Sequence, residues 1–216
     1  MGPLHRRAQQ CFVRLPILLS VLFGTALIIG QSSAHAASAV TIGGPFTLMA
    51  PDGKTVTDKT YRGKWLLVYF GYTSCPDSCP TALFEIATAL RKLGPDAATV
   101  QPIFITIDPQ HDTPEVMGEY TQAFDPRIVG LTGTAQEIEA VSSVYGAYFV
   151  RRKTGPGAQD YVMDHSVYIY LMSPRGEFVR GFDTSWAGDR IAAAVREAMA
   201  QLHDQGPGGR SAQMRR

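Results

Sequence analysis

An α/β single domain built on a central mixed sheet is what the sequence predicts, and three observations predict it. Apolar strand-like runs alternate with helix-forming segments from Phe46 to Tyr145. Two further strand runs, Val162 to Met172 and Glu177 to Phe182, are joined by the turn Ser173-Pro-Arg-Gly176, which makes a closing antiparallel hairpin. A last amphipathic segment from about Ala187 to Leu202 is long enough to cover one face of the sheet. A βαβ start, a terminal hairpin and a covering helix are thioredoxin-like in outline.

The elements follow in order. Residues 1–36 read as a signal peptide or an N-terminal membrane anchor. The basic start His5, Arg6, Arg7 and Arg14 flanks an apolar run from Leu15 to Ile29, and Ala34-His-Ala36 has the small-x-small form of a cleavage site. That run is shorter than the about twenty residues a membrane-crossing helix needs, although Phe12 and Val13 could lengthen it. A mitochondrial import sequence ranks third, because the apolar core argues against an amphipathic helix. Phe46 to Ala50 and Thr55 to Thr57, around Pro51-Asp-Gly-Lys54, form an N-terminal hairpin. Trp65 to Phe70 is a buried strand broken by Gly71, and Pro80 opens a helix that ends near Leu93 at Gly94-Pro95.

Val100 to Ile107 is the next strand. Asp112-Thr-Pro-Glu115 has capping-box spacing and starts a helix to about Phe124. Ile128 to Leu131 is a short strand, and Thr134-Ala-Gln-Glu137 caps a helix to Tyr145. Tyr148 to Arg151 precedes a Gly/Pro loop and the closing hairpin. The thioredoxin-like domain is thus placed at 37–205, with 206–216 as a disordered tail.

Composition narrows the chemistry. The chain has 216 residues with 45% hydrophobic content, enough for one well-filled core. Setting aside Arg6, Arg7 and Arg14 lowers 20 basic residues to 17, against 19 acidic ones, and no basic stripe suggests nucleic acid. Three cysteines are too few for a disulfide scaffold. Cys11 lies before the apolar run and takes no part in the mechanism.

Cys75 and Cys79 sit where a strand hands over to a helix, at the carboxyl end of a parallel strand, where functional groups of open sheets gather. If the helix has begun at Cys75, the four-residue spacing stacks the two sulfurs one turn apart. Amide donors at such a terminus favour thiolate over thiol. The pair is C-x-x-x-C rather than the C-x-x-C of a thioredoxin, wide enough to chelate an ion without oxidising. A nitrogen ligand would complete a site. Of five histidines, His5 and His35 fall in the leader and His203 in a solvated helix end. His111 and His165 remain open as candidates, the latter beside Asp164 in an otherwise apolar stretch.

Gly71-Tyr-Thr-Ser-Cys-Pro-Asp-Ser-Cys-Pro80, Ile107-Asp-Pro-Gln-His-Asp-Thr113, Val129-Gly-Leu-Thr-Gly133 and Asp164-His-Ser166 before Tyr168-Ile-Tyr-Leu together resemble the Sco/SenC family of copper proteins, in order from about Phe46 to Ala198. The resemblance implies a copper-binding metallochaperone that delivers copper to the binuclear centre of cytochrome c oxidase, or reduces that centre's cysteines. It implies copper, as Cu(I) or Cu(II), on Cys75, Cys79 and His165. The copper-bearing oxidase subunit is the implied partner, with an upstream copper donor or a thiol reductant as a further one. It also implies a domain facing the periplasm or the intermembrane space; export to a periplasm, in soluble form after cleavage or anchored to the inner membrane, is the expectation.

The chemistry agrees: Cu(I) accepts two thiolates and an imidazole, whereas a shallow Cys₂His site is a poor structural zinc holder. Asp164 is expected to orient the imidazole from the second shell of the site, and Asp108 to do so from the neighbouring loop. Asp112 is expected to be spent as a helix cap. The alternative function is a thiol-disulfide oxidoreductase with Cys75 attacking and Cys79 resolving, and the bland one a static disulfide. The loop Arg151 to Asp160 is expected to help dock an acceptor, and Tyr69 and Tyr72 to be packing residues.

Overall fold

The computed structural model describes residues 41–157, 160–183 and 185–204. The expected leader (1–36), with Cys11, His5 and His35, and the expected tail (206–216) lie outside the described residues. Among the described residues, no helix is long and apolar enough to cross a membrane.

β1 (Thr47–Met49) and β2 (Thr55–Thr57) form the N-terminal hairpin. The central sheet has the order β5-β4-β3-β8-β9. β3 (Trp65–Gly71), β4 (Val100–Thr106) and β5 (Val129–Leu131) run parallel, and β8 (Ile169–Met172) and β9 (Phe178–Phe182) complete it antiparallel. β3 is buried along its whole length, as its unbroken apolar sequence requires of a central strand covered on both faces.

Alternation along β3 separates the two faces. Tyr69 and Phe104 pair in register, and Phe104 meets Tyr120 of α2 (Pro114–Gln122) with ring centroids 5.7 Å apart. Phe70 points the other way, to Tyr145 of α3 (Ala135–Tyr145) at 5.4 Å. Gly71 follows Tyr69 by two and faces α1 (Ser78–Leu93). α4 (Gly188–Asp204) lies on α1, where a Cβ on Gly188 would stand 2.5 Å from the Glu85 carbonyl oxygen. Only glycine allows the two helices that close an approach.

Three local expectations are corrected. α1 begins at Ser78, two residues before Pro80, because the first four amides of a helix have no intrahelical partner to lose. α1 ends at Leu93 with Gly94 as its C-cap, as expected, and a separate short 3₁₀ helix, Gly94–Thr99, follows. The α2 cap is Thr113, whose hydroxyl accepts from Val116 N–H, so Asp112 is not the cap. The long strand Val162 to Met172 is two strands. β7 (Tyr161–His165) pairs with β6 (Phe149–Lys153) as a separate hairpin, and β8 alone joins the central sheet. Ser166 ends β7: its hydroxyl accepts from Tyr148 N–H at 2.9 Å and its own N–H donates to the Tyr148 carbonyl at 2.9 Å. The α3 capping box has both reciprocal bonds expected of Thr134 and Glu137.

Candidate metal centre

Gly71 ends β3 because the next layer leaves no room: a Cβ there would stand 2.6 Å from Cys79 Sγ and 2.7 Å from the Phe104 ring. The chain then turns, with Cys75 N–H donating to the Tyr72 carbonyl at 3.2 Å. Cys75 therefore lies in this turn and not in α1. The sulfurs do not stack along one helix; the turn folds Cys75 back over Cys79, in the first helical turn. Cys75 is half-buried and Cys79 has no exposure.

His165 closes β7 and comes down on the same spot. Its Nε2 is 3.8 Å from Cys79 Sγ, and one ligand atom from each of Cys75, Cys79 and His165 lies within 4.8 Å of the others. Nδ1 is 2.8 Å from the Ser166 carbonyl oxygen. A carbonyl only accepts, so Nδ1 carries the proton and Nε2 presents its lone pair to the sulfurs. Tyr69 and Tyr72 set their rings edge-on to the imidazole at 6.2 and 6.0 Å, so both pack against His165.

The two thiols differ sharply. A hydrogen bond from Cys79 brings Cys75 down to about 3, with Ser78 and the Asp77 amide contributing against the opposing effect of burial. Cys79 is pushed up, first because it shares its proton with Cys75 and then because it is buried. Cys75 is thus the thiolate and Cys79 the thiol. Iodoacetamide should alkylate Cys75 well ahead of Cys79 in the reduced protein. Because the Cys75 value lies near 3, its rate should stay level as the pH falls from about 8 to about 5, where an ordinary thiol loses about tenfold per unit. Peptide mapping of the labelled chain checks this, and equal labelling would contradict it.

The acidic residues stand elsewhere than expected. Asp164 is one residue from His165 on a strand, and so faces the opposite side. Its carboxylate accepts from Arg152 at 2.7 Å, and the Ser166 carbonyl takes the orienting role instead. Asp108 is buried and does not reach the imidazole. It accepts from Arg151 at 2.7 Å and from the Tyr161 hydroxyl, with the Arg151 guanidinium 4.2 Å over the Tyr161 ring. Asp108 thereby pins the β6–β7 hairpin, which carries His165, to the end of β4. Arg151 and Arg152, expected in a docking loop, are spent on these two pairs. His111 is half-exposed, 3.6 Å from Asp112, and outside the three-residue group. Asp112 is a residue that sequence reasoning misplaced. It is buried and accepts from Thr73 N–H (3.1 Å), Thr73 Oγ1 (2.6 Å) and Thr106 Oγ1 (2.6 Å), which ties the cysteine turn to β4.

The SCO1/SenC family profile matches residues 34–200. The chain belongs to the SCO1/SenC family. Among curated relatives it is 40% identical over 173 residues to "Protein SCO1 homolog 1, mitochondrial" of Arabidopsis thaliana, covering 80% of this chain and 50% of that protein. It is 40% identical over 164 residues to "Protein SCO1 homolog, mitochondrial" of Homo sapiens, covering 73% and 53%. The chain therefore spans about half the length of these relatives. Among solved structures it is similar to Bradyrhizobium japonicum ScoI with copper bound, at 47% identity and TM-score 0.67 over 72% of this chain and 98% of that one. It is also similar to yeast Sco1 with copper bound, at 35% identity and TM-score 0.69 over 78% and 97%. The thioredoxin-like fold is the SCO1/SenC fold. The expected export to a periplasm is overturned, because the Arabidopsis, human and Saccharomyces cerevisiae relatives are all named mitochondrial.

Proposed function

We propose that this chain is a copper carrier serving cytochrome c oxidase assembly, binding the ion through Cys75 Sγ, Cys79 Sγ and His165 Nε2. The observation that carries the reading is the convergence of those donors within 4.8 Å, a set that suits soft Cu(I). Copper-bound SCO1/SenC relatives support it. Cys75 is already a thiolate and half-exposed, so an incoming ion meets it first. Cys79 then gives up its proton to solvent and becomes the inner, buried ligand, and His165 presents a lone pair already aimed at the site. One proton leaves per ion, so apparent affinity rises with pH across the neutral range.

The copper-bearing subunit of cytochrome c oxidase is the proposed acceptor. Exchange with an acceptor or an upstream donor would proceed through the accessible Cys75 sulfur. Titrating the reduced protein with Cu(I) against a competing chelator should give one tightly held ion per chain, lost in Cys79→Ser. No binding by the wild type would remove the carrier reading.

A second reading, thiol-disulfide oxidoreductase, is favoured by one observation: an activated, accessible Cys75 thiolate beside a buried Cys79 thiol is the attacking and resolving arrangement such chemistry needs.

A further inference from the structure

β3 buries a phenol where a phenyl ring would fill the same space. Tyr69 has no exposure, and its ring stacks on Phe104 with centroids 6.2 Å apart and planes at 14°. Its hydroxyl is oriented toward the Ser78 hydroxyl and the Cys79 thiol, yet among the described residues it is buried without a well-formed hydrogen bond. A buried polar group left unpaired destabilises a fold, and native structures seldom keep one without a reason. Phenylalanine would serve the metal-free protein better. A second buried hydroxyl without a hydrogen bond among the described residues, that of Tyr120, belongs to a ring packed on the same Phe104.

The partner Tyr69 lacks is one the site creates when it is filled. Cysteine ligates as the thiolate, and Cys79 is fully buried, so its sulfur would carry negative charge with no water to solvate it. A neutral thiol sulfur is a weak acceptor, whereas a thiolate takes a charge-assisted hydrogen bond. We propose that Tyr69 is a positioning residue of the metal centre, its O–H held ready to donate to the Cys79 sulfur once that sulfur is a ligand. The Cys79 proton leaves to solvent and the phenol keeps its own. Tyr69 also sets its ring edge-on to His165, so one side chain steadies the inner sulfur and the imidazole together. In this way the strand favours the filled site over the empty one.

The proposal rests on the copper-carrier reading. The test is Tyr69→Phe in the full chain, with two readouts: Cu(I) affinity by competition with a chelator, and melting temperature with and without Cu(I). Affinity should fall by about tenfold or more, the range seen when a group bonded to a metal ligand is removed. The metal-free melting temperature should hold or rise, and the rise produced by Cu(I) should shrink. Cu(I) affinity within about twofold of wild type, with the same Cu(I)-induced rise, would overturn the proposal. So would equal losses of melting temperature with and without metal, which mark a packing role alone. A wild type that binds no Cu(I) fails at the earlier step and overturns the carrier reading itself.

Discussion

Replacing His165 with alanine is expected to weaken Cu(I) binding by at least about a hundredfold, more than the 10–100-fold that removal of a neighbouring hydrogen-bond partner brings. The imidazole is the one nitrogen donor in the three-residue group, and its lone pair is already directed by the Nδ1–H bond to the Ser166 carbonyl. Two thiolates alone would hold Cu(I) in a more open, less enclosed site. The fold should change little, because β7 keeps its pairing with β6 and the lost contacts are the edges of two tyrosine rings. A loss of about 1 kcal/mol is the expected order for a half-buried side chain. Thiol chemistry should largely survive, since the first cause of Cys75 acidity is Cys79 and not His165. The variant thus separates the two functional readings: a reductase keeps most of its turnover, and a carrier loses its ion. Unaltered Cu(I) affinity in His165→Ala would remove the histidine from the ligand set.

The parts of this architecture that were legible in the sequence are those encoded by neighbouring residues. The apolar run from Trp65 and its break at Gly71 located β3 and the cysteine turn, and Thr134 with Glu137 located the start of α3, because both signals are local. His165 stood out as a polar pair with Asp164 inside an apolar stretch. What the sequence concealed depends on partners far along the chain. Val167 and Tyr168 suit a strand as well as their neighbours do, so nothing local marked the division of β7 from β8; the Tyr148–Ser166 bonds mark it. Asp108 reads as a loop acid until Arg151 and Tyr161 arrive from the hairpin. The outward face of Asp164 could have been read, since strand alternation opposes it to His165. For Asp112 the signal lay in Thr73 and Thr106, two hydroxyls at the ends of adjacent parallel strands, close only once β3 and β4 are paired.

Asp112→Ala is accordingly expected to give the largest loss of stability, about 3 kcal/mol, and to disorganise the cysteine turn with it. The carboxylate is buried and acceptor-only, and it satisfies three donors at once: Thr73 N–H, Thr73 Oγ1 and Thr106 Oγ1. Alanine removes every acceptor and leaves those donors facing an apolar methyl. Each stranded buried donor costs about 1–3 kcal/mol. The losses will not add fully, because hydroxyls rotate and the vacated space can admit a water. Thr106 Oγ1 also accepts from Asp108 N–H at 2.9 Å, so the damage reaches the residue that pins the His165 hairpin.

Thr73 precedes Cys75 by two residues. Freeing it loosens the segment that folds the outer sulfur over Cys79, and Cu(I) affinity should fall about tenfold in chains that remain folded. Asp112→Asn keeps one acceptor oxygen and should lose about half as much stability. Urea unfolding midpoints of the metal-free variants, with Cu(I) competition on the folded fraction, measure both effects. If Asp112→Ala unfolds at the wild-type urea concentration, the carboxylate is not what holds the turn to β4.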